Sequence, residues 1–273
     1  MLKNNYHTHM KYCNHAVGEV EDYVKTAYEL GYLSLGMSDH APIPLNSMTK
    51  EEWDHNYCGQ NMTMDTFDIY LKDIENAQKK YPNIKVYKAL ESEYLRGYDS
   101  WYKNLRDNLD YMILGIHFFK DNTGKVLDTY EDLNYNNLDY YYQNMEEAVK
   151  TGLYDYLAHP DLFYFDYKDK NGNHTFDDKC IDITHKICKL ALKYDLPLEI
   201  NCNGLHFSTD KENIKNFRYP VYDFWKIAKD YNGLKIILGV DAHNPNLLGG
   251  EWILKAKEFC KELNIKYLEK LDF

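Results

Sequence analysis

The sequence lacks the long apolar runs that a membrane protein needs. No stretch of about 18 consecutive apolar residues occurs anywhere in the chain, so we expect no segment that spans a bilayer and no membrane partner. Residues 1–7 contain no basic region followed by an apolar run, and we therefore expect no signal peptide.

The sequence also lacks closely spaced cysteine pairs and contains few arginines. The six cysteines are scattered without a C-x-x-C pair, which is typical of reduced thiols in a cytoplasmic protein. The chain has only three arginines and a net charge of -11, which argues against unaided binding to nucleic acid. An anionic substrate is still compatible with this composition, because bound metal ions can reverse the sign of the local field.

Seven short apolar runs recur along the 273 residues, and most are followed by a segment with helical spacing. Val20, Tyr23, Val24 and Ala27, for example, follow an i, i+3, i+4, i+7 pattern. Strand–helix alternation is typical of an α/β protein with a parallel sheet. We predict a single domain, residues 1–273, that forms a closed or nearly closed barrel, with a doubly wound sheet as the alternative. The apolar runs cover residues 4–9, 33–39, 84–91, 111–117, 154–159, 196–201 and 236–241.

Histidines and carboxylates stand at the ends of these runs. His7 and His9 lie two residues apart, so both side chains leave the same face of an extended strand, and Asp241 and His243 have the same spacing. A parallel barrel brings its strand ends to one rim, where imidazole and carboxylate together suit zinc, manganese or iron. Because an ion needs about four protein ligands or fewer, eight such residues predict two or three ions. The remaining four are His40, Glu91, His117 and His159.

Six short motifs follow one another in a fixed order along the chain. They are Tyr6-His7-Thr8-His9, Cys13-Asn14-His15-Ala16, Ser38-Asp39-His40-Ala41-Pro42, Ala158-His159-Pro160-Asp161-Leu162, Glu199-Ile200-Asn201 and Asp241-Ala242-His243. Together they resemble the polymerase-and-histidinol-phosphatase (PHP) family, and most closely its histidinol-phosphatases. The resemblance implies a distorted seven-stranded (β/α) barrel with a trinuclear metal centre.

The resemblance also implies how nine residues are shared among three ions. His15 lies in a loop and is supplied by the resemblance alone. Glu93 is the alternative to Glu91, since both leave the same strand face; we prefer Glu91, because the acidic ligand of the family comes first in such a string. The implied ligand groups are His7, His9, Glu91 and Asp241; Glu91, His117 and His159; and His15, His40 and His243.

The resemblance implies hydrolysis of L-histidinol phosphate to L-histidinol and phosphate, a step of histidine synthesis. We predict attack by a metal-bridging hydroxide on phosphorus, with catalytic roles for Glu91, Asp241, His243 and Asp39. The proton donor to the leaving alkoxide is either a metal-bound water or one of Asp39, His206 and Asp161. The expected partner is a small phosphorylated metabolite, and no oligomeric state is indicated.

Two residues are candidates for binding the phosphate. Members of the family often have a basic residue after Gly-Leu in the loop that follows the sixth strand. Here Gly204-Leu205 is followed by His206. Arg218 is the other candidate, because an arginine can bind phosphate through two parallel hydrogen bonds.

Other functions stay open at this point. A phosphoesterase acting on a different metabolite is the nearest alternative. An amidohydrolase-type enzyme would need a lysine near the end of a middle strand, and the nearest is Lys88, three residues before Glu91. A metal-binding accessory module is the third. Two long connections, residues 41–64 and 163–179, are candidate walls or lids of the site.

Overall fold

The computed structural model describes residues 2–208, 210 and 212–273. Seven parallel strands form one sheet, in which each strand pairs with the next of the seven along the chain. All seven predicted strands are therefore present, although most are shorter than the apolar runs that predicted them. The strands are β1 (Asn4–Asn5), β2 (Ser34–Met37), β3 (Lys85–Ser92), β4 (Tyr111–Leu114), β7 (Tyr156–Leu157), β8 (Leu198–Asn201) and β9 (Ile236–Gly239).

The sheet curves until its first and last strands nearly meet. A parallel bridge joins Thr8 to Ala242, and the amide of His9 donates to the carbonyl of Ala242 over 2.9 Å. The amide of Val240 donates to Asn5 Oδ1 over 2.9 Å. These contacts confirm a nearly closed barrel, and a doubly wound sheet is excluded.

Helices cover the outer face of the barrel and pack apolar residues against it. None of the helices in the described part of the chain has the length and hydrophobicity that crossing a bilayer requires. The helices are α1 (Val20–Glu29), α2 (Lys50–His55), α3 (Met64–Lys80), α4 (Asp99–Arg106), α5 (Leu138–Lys150), α6 (Asp178–Tyr194), α7 (Tyr222–Ala228) and α8 (Glu251–Glu262).

Helix α2 lies inside the first long connection, where a capping box sets its start. The amide of Glu52 donates to Thr49 Oγ1 over 3.2 Å, and the amide of Thr49 donates to Glu52 Oε2 over 2.7 Å. Such reciprocal bonds satisfy amides that the first helical turn leaves free. This short helix therefore lies within residues 41–64, one of the two long connections.

An antiparallel hairpin, which the sequence did not predict, follows directly after His117. It pairs β5 (Phe118–Lys120) with β6 (Val126–Asp128). Asp121 Oδ1 accepts hydrogen bonds from the amides of Thr123 and Lys125 and so fixes the turn between them. The hairpin stands at the carboxyl ends of the barrel strands, beside α2.

The amino-terminal end of the barrel interior, which we call the closed end, is filled by tyrosines. Tyr6, Tyr87, Tyr111 and Tyr156 belong to one buried cluster with Leu271. The hydroxyls of Tyr111 and Tyr156 donate to the carbonyl of Tyr6 over 2.6 and 3.2 Å. The Tyr6 hydroxyl in turn accepts from the amide of Leu271 over 3.1 Å. The last residues of the described chain thus seal this end of the barrel.

Candidate metal centre

The predicted ligands gather at the carboxyl ends of the strands, which we call the open end. His7 and His9 follow β1, and both are fully buried. Thr8 between them is held by two bonds: its hydroxyl donates to the carbonyl of Gly36 over 2.5 Å, and its amide donates to Ser38 Oγ over 2.9 Å. Because the backbone is fixed on both sides, the two imidazoles point together into the barrel.

Glu91, at the end of β3, lies in the middle of the histidines. Its two carboxylate oxygens face different rings, which is the arrangement of a carboxylate that bridges two cations. Oε2 lies 3.3 Å from His7 Nε2, 3.4 Å from His9 Nε2 and 3.3 Å from His40 Nδ1, whereas Oε1 lies 2.8 Å from His159 Nε2 and 3.6 Å from His117 Nε2.

Asp241 follows β9 and approaches the same histidines from the opposite side. Its Oδ1 lies 3.0 Å from His9 Nε2 and 3.6 Å from His7 Nε2. Its Oδ2 accepts from the side-chain amides of Asn201 and Asn203 over 3.1 and 3.3 Å. Asp241 has a φ of 52°, a conformation that costs free energy outside glycine. The backbone is therefore strained where it aims this carboxylate at the histidines.

A third group of predicted ligands lies at the rim of the open end, where the rings of His15 and His243 face each other. Each ring donates through Nδ1 to a backbone carbonyl, His15 to Cys13 over 3.0 Å and His243 to Asp241 over 3.1 Å. In the neutral rings both Nε2 atoms therefore carry lone pairs, and these atoms are 2.9 Å apart. A shared cation would relieve the repulsion between two such lone pairs. His9, His40 and His243 also place ligand atoms within 4.8 Å of one another.

Two carboxylates behind the cluster orient its rings. Glu199 accepts from His7 Nδ1 over 2.9 Å, and Glu93 accepts from His117 Nδ1 over 2.5 Å. Each bond keeps a proton on Nδ1, so that a cation which displaces the second proton would meet the Nε2 lone pair facing the centre; this is the usual role of a carboxylate behind a ligating histidine. Glu91 lies among the rings and Glu93 lies behind one of them.

The electrostatics of the cluster favour ionised carboxylates beside neutral rim histidines. Burial would raise the pKa of the Glu91 carboxyl, but the charges of His7 and His117 outweigh it and hold this pKa well below its usual range. Burial lowers the pKa of His243 from 6.5 to about 3, and burial with the charge of His9 lowers the pKa of His40 well below 6.5. Neutral imidazoles have a lone pair available for a cation.

Several buried atoms of the cluster lie close to one another but make no hydrogen bond of suitable geometry to the described residues. They include His7 Nε2, His9 Nε2 and Asp241 Oδ1. A buried polar atom without a partner costs about 1–3 kcal/mol, and these atoms lie together rather than scattered through the core. Imidazole nitrogen and carboxylate oxygen are the donors that divalent transition metals accept. The residues therefore fit a site for divalent metal.

Two glycines make room for the carboxylates. A Cβ atom built on Gly115 would overlap Oε1 of Glu91, and one built on Gly239 would overlap Oε1 of Glu199. Both glycines lie on or next to barrel strands, β4 and β9. The absence of a side chain at these two positions lets the acidic groups lie across the barrel interior.

A cavity of about 560 Å³ opens directly above the cluster. His206 lines this cavity. Arg218 is not among the described residues that line it; its guanidinium donates to the carbonyl of Phe165 over 2.5 Å and lies 5.0 Å from the Phe165 ring centre. The phosphate-binding role of either residue stays a prediction. The lining residues include His15, His40, Asn56, Tyr57, Glu91, Glu93, His117, Phe118, Asp128, Tyr130, Asn203, Phe207, Tyr219, Asp241 and His243.

The other two candidate proton donors, Asp39 and Asp161, are buried and are not among the described residues that line the cavity. Asp39 accepts from the amide of Met10 over 3.1 Å and lies 3.6 Å from His9 Nδ1, so its contacts orient a predicted ligand. Asp161 Oδ2 accepts from the amide of Val221 and the indole of Trp225 over 2.6 and 2.9 Å. These bonds attach the loop after β7 to the start of α7.

Sequence reasoning missed Glu199 as a partner of His7. The signal was present in Glu199-Ile200-Asn201, where two polar residues share one face of a buried strand. Asn201 Nδ2 donates to both Glu199 Oε2 and Asp241 Oδ2, over 2.9 and 3.1 Å. This strand therefore connects two of the carboxylates of the site.

Comparisons with known proteins agree with this geometry. A model of the PHP domain matches residues 5–203. A Deinococcus radiodurans protein named "Probable histidinol-phosphatase" is 25% identical over 260 residues, which are 92% of this chain and 90% of that protein.

Solved structures give the same fold. Histidinol phosphate phosphatase from Lactococcus lactis subsp. lactis, in a complex with Zn, L-histidinol and phosphate, superposes with a TM-score of 0.68 at 17% identity and covers 99% of both chains. A crystal structure from Listeria monocytogenes also has a TM-score of 0.68, at 20% identity, over 92% of this chain and 99% of that one.

Proposed function

Because the chain belongs to the PHP domain family, we propose that it is a metal-dependent phosphomonoester hydrolase. Its substrate is L-histidinol phosphate, which it converts with water to L-histidinol and phosphate in histidine biosynthesis. The names of the Deinococcus and Lactococcus proteins support this substrate.

One observation carries the proposal. The Glu91 carboxylate lies between five imidazole nitrogens, with Oε2 facing three of them and Oε1 facing two. A carboxylate in this position would help to hold two divalent ions of the kind that two-metal phosphatases use.

The proposed ions are two or three divalent metals, with zinc, manganese and iron as the candidates. When bound, such ions lower the pKa of a water molecule and neutralise charge that develops on phosphate oxygens. The proposed ligands are the nine residues of the three groups: His7, His9, His15, His40, Glu91, His117, His159, Asp241 and His243.

Residues around the proposed ligands orient them and line the space for the substrate. Glu199 and Glu93 keep the Nε2 atoms of His7 and His117 directed inward. His206 lines the cavity, and we propose that it contacts the phosphate or protonates the leaving oxygen. Asp39 contributes through His9, which it faces at 3.6 Å, and thus acts as a positioning residue.

A phosphomonoesterase that acts on another metabolite is the second candidate. The observation that favours it is the cavity lining, because no lysine or arginine of the described residues reaches it. An amidohydrolase-type reaction is disfavoured for the same reason, since its bridging lysine has no counterpart there. Lys88 instead donates to Glu75 over 2.6 Å.

We also propose that the whole chain acts as one domain in the cytoplasm. The single seven-stranded sheet draws strands from both ends of the sequence, and β1 contacts the residues after β9. All six cysteines are buried and unpaired, which suits a reducing compartment.

The test is phosphate release from L-histidinol phosphate by the purified protein. The assay is run with added manganese or zinc, with a chelator-treated control and a panel of sugar and nucleotide phosphates. We expect chelator-sensitive turnover that is highest with L-histidinol phosphate. If a panel compound is turned over faster than L-histidinol phosphate, that compound becomes the proposed substrate. If the protein binds metal but has no phosphatase activity, a metal-binding accessory module is favoured.

A further inference from the structure

The cavity wall next to the open end is built from α2 and the β5–β6 hairpin. The amide of Val126 donates to Glu52 Oε1 over 2.9 Å, and His55 Nε2 lies 2.8 Å from Asp132 Oδ2. These contacts connect two segments that are far apart in sequence. They bring Asn56 and Asp128 to the same cavity.

Asn56 presents a buried acceptor with no partner. Its side chain is only 5% exposed, and its Nδ2 donates to the carbonyl of Glu52 over 2.7 Å. That bond fixes the orientation of the amide, and it leaves Oδ1 without a hydrogen bond among the described residues. Since a buried acceptor without a partner is costly, this oxygen is suited to a hydrogen-bond donor on a ligand.

Asp128 presents a second acceptor to the cavity. It is 2% exposed, and its Oδ1 accepts from the amides of Tyr130 and Glu131 over 2.6 and 2.9 Å. No residue in the described parts of the chain donates to Oδ2. One oxygen therefore fixes the carboxylate while the other is available to a ligand.

The charges on this wall define the chemistry of that ligand. Asp128 lines the cavity, and the described lining contains no lysine or arginine that could neutralise it; Glu93, also in the lining, is already bonded to His117. Acceptors without donors require a ligand that carries several donors, and a primary ammonium has three donors and no acceptor. The Tyr130 ring, whose π face also attracts cations, lines the same cavity.

We propose that Asp128 and Asn56 form a binding site for a primary ammonium group on the alcohol part of the substrate. The protein then selects phosphate monoesters of amino alcohols over uncharged ones. This inference rests on the proposed phosphatase function and adds the residues that determine specificity.

The first test compares two substrates with the wild-type, metal-loaded protein. One is L-histidinol phosphate, and the other is 3-(imidazol-4-yl)propyl phosphate, which has the same skeleton without the amino group. We expect kcat/KM to be about 10–100-fold lower for the deaminated ester, as for loss of a charged hydrogen bond. Equal kcat/KM for the two esters would overturn the ammonium site. Absence of metal-dependent turnover with both would instead refute the proposed function.

The second test assigns the selectivity to residues. Asp128→Asn retains an oxygen for the amides of Tyr130 and Glu131 and removes the charge. We expect this variant to lower kcat/KM for L-histidinol phosphate by about 10–100-fold, mainly by raising KM. Its kcat/KM for the deaminated ester should stay within about twofold of the wild-type value. Asn56→Ala removes only a neutral acceptor, so a smaller loss of about 2–10-fold is expected.

Glu131→Gln is the matched control for charge. Glu131 lies on the same turn, is exposed and accepts from the Tyr57 hydroxyl over 3.0 Å, and it is not among the cavity-lining residues. We expect this variant to keep the wild-type preference. An equal loss for both esters in Asp128→Asn, or an equal loss of preference in Glu131→Gln, would overturn the assignment to Asp128. If Asp128→Asn does not fold, the wild-type substrate pair alone decides.

Discussion

The open and closed ends of the barrel interior are both lined by buried polar side chains, but their hydrogen bonding differs. At the closed end, the Tyr111 and Tyr156 hydroxyls donate to the carbonyl of Tyr6, and the Tyr6 hydroxyl is bonded to Leu271. At the open end, His7 Nε2 and His9 Nε2 lie 3.0–3.6 Å from oxygens of Glu91 and Asp241 but make no hydrogen bond of suitable geometry, although both rings are buried.

This difference separates a polar core from a polar site. A barrel can bury polar groups at little net cost when they bond to each other. Groups that are buried, oriented and left unsatisfied need a ligand to offset that cost. Unsatisfied atoms, rather than the number of polar residues, therefore distinguish the metal centre from the tyrosine cluster. The following predictions test the contrast, beginning with the largest effect.

Replacement of Glu91 by glutamine should have the largest effect at the open end. The variant removes the charge that faces five imidazole nitrogens, so we expect loss of bound metal and a fall in kcat of more than about 100-fold. Metal analysis and phosphate release measure the two quantities. Glu75→Gln, at a partly exposed ion pair with Lys88 outside the cluster, is the control. Full activity and full metal content in Glu91→Gln would show that the Glu91 carboxylate is not a metal ligand.

Glu93→Gln should have an intermediate effect, because Glu93 acts through His117. Loss of this orienting contact typically costs about 10–100-fold in metal affinity or activity. We expect the same range for Glu199→Gln, which acts through His7. Metal titration followed by kinetics measures it. A loss for Glu93→Gln as large as that of Glu91→Gln would show that Glu93 is itself a ligand.

Tyr111→Phe should affect stability and leave catalysis unchanged. The carbonyl of Tyr6 loses its 2.6 Å bond but keeps that from Tyr156, so we expect the free energy of unfolding to fall by about 1 kcal/mol. Urea unfolding and steady-state kinetics measure the two effects. Tyr87→Phe, in the same cluster, is the control for the ring. A tenfold loss of metal affinity in Tyr111→Phe would contradict the inference that the closed end has a structural role only.

The smallest effect concerns the wall beside the open end. The hydrogen bond with Asp132 raises the pKa of His55 above 6.5, so the contact stabilises α2 below that pH and is lost as the pH rises through the raised value. Because the pair is partly exposed, we expect exchange of the α2 amides to accelerate only about 2–5-fold, after correction for intrinsic rates. Hydrogen exchange at pH 6 and pH 9 measures this. The same acceleration in His55→Gln would contradict the role of His55.

The sequence predicts most of the architecture because strand-end positions follow from local periodicity. Seven apolar runs became seven parallel strands, and the residues two apart at the ends of β1 and β9 face one centre. His15 could not be found in this way, because it lies in a loop and joins the group through contact with His243, 228 residues away. Resemblance to a family supplied it.

Contacts between distant segments account for what the sequence did not predict. Glu199 reaches His7 across 192 residues; the alternation of Glu199 and Asn201 marks a polar strand face but does not identify His7 as the partner. Glu93 was considered as a ligand, although its bond to His117 places it behind the ring. The hairpin that carries Asp128 follows a predicted strand directly and has no apolar run of its own. Such pairings depend on how the barrel closes.

The space left by Gly115 and Gly239 also constrains how this protein can evolve. In the genetic code, glycine becomes alanine through a single base change, so these variants arise repeatedly. Each would place a methyl group where Glu91 or Glu199 lies, and selection would remove it wherever the metal centre is needed. A natural relative with alanine at either position should therefore also have lost the facing carboxylate, which makes the two glycines a genomic marker for chains that retain the centre.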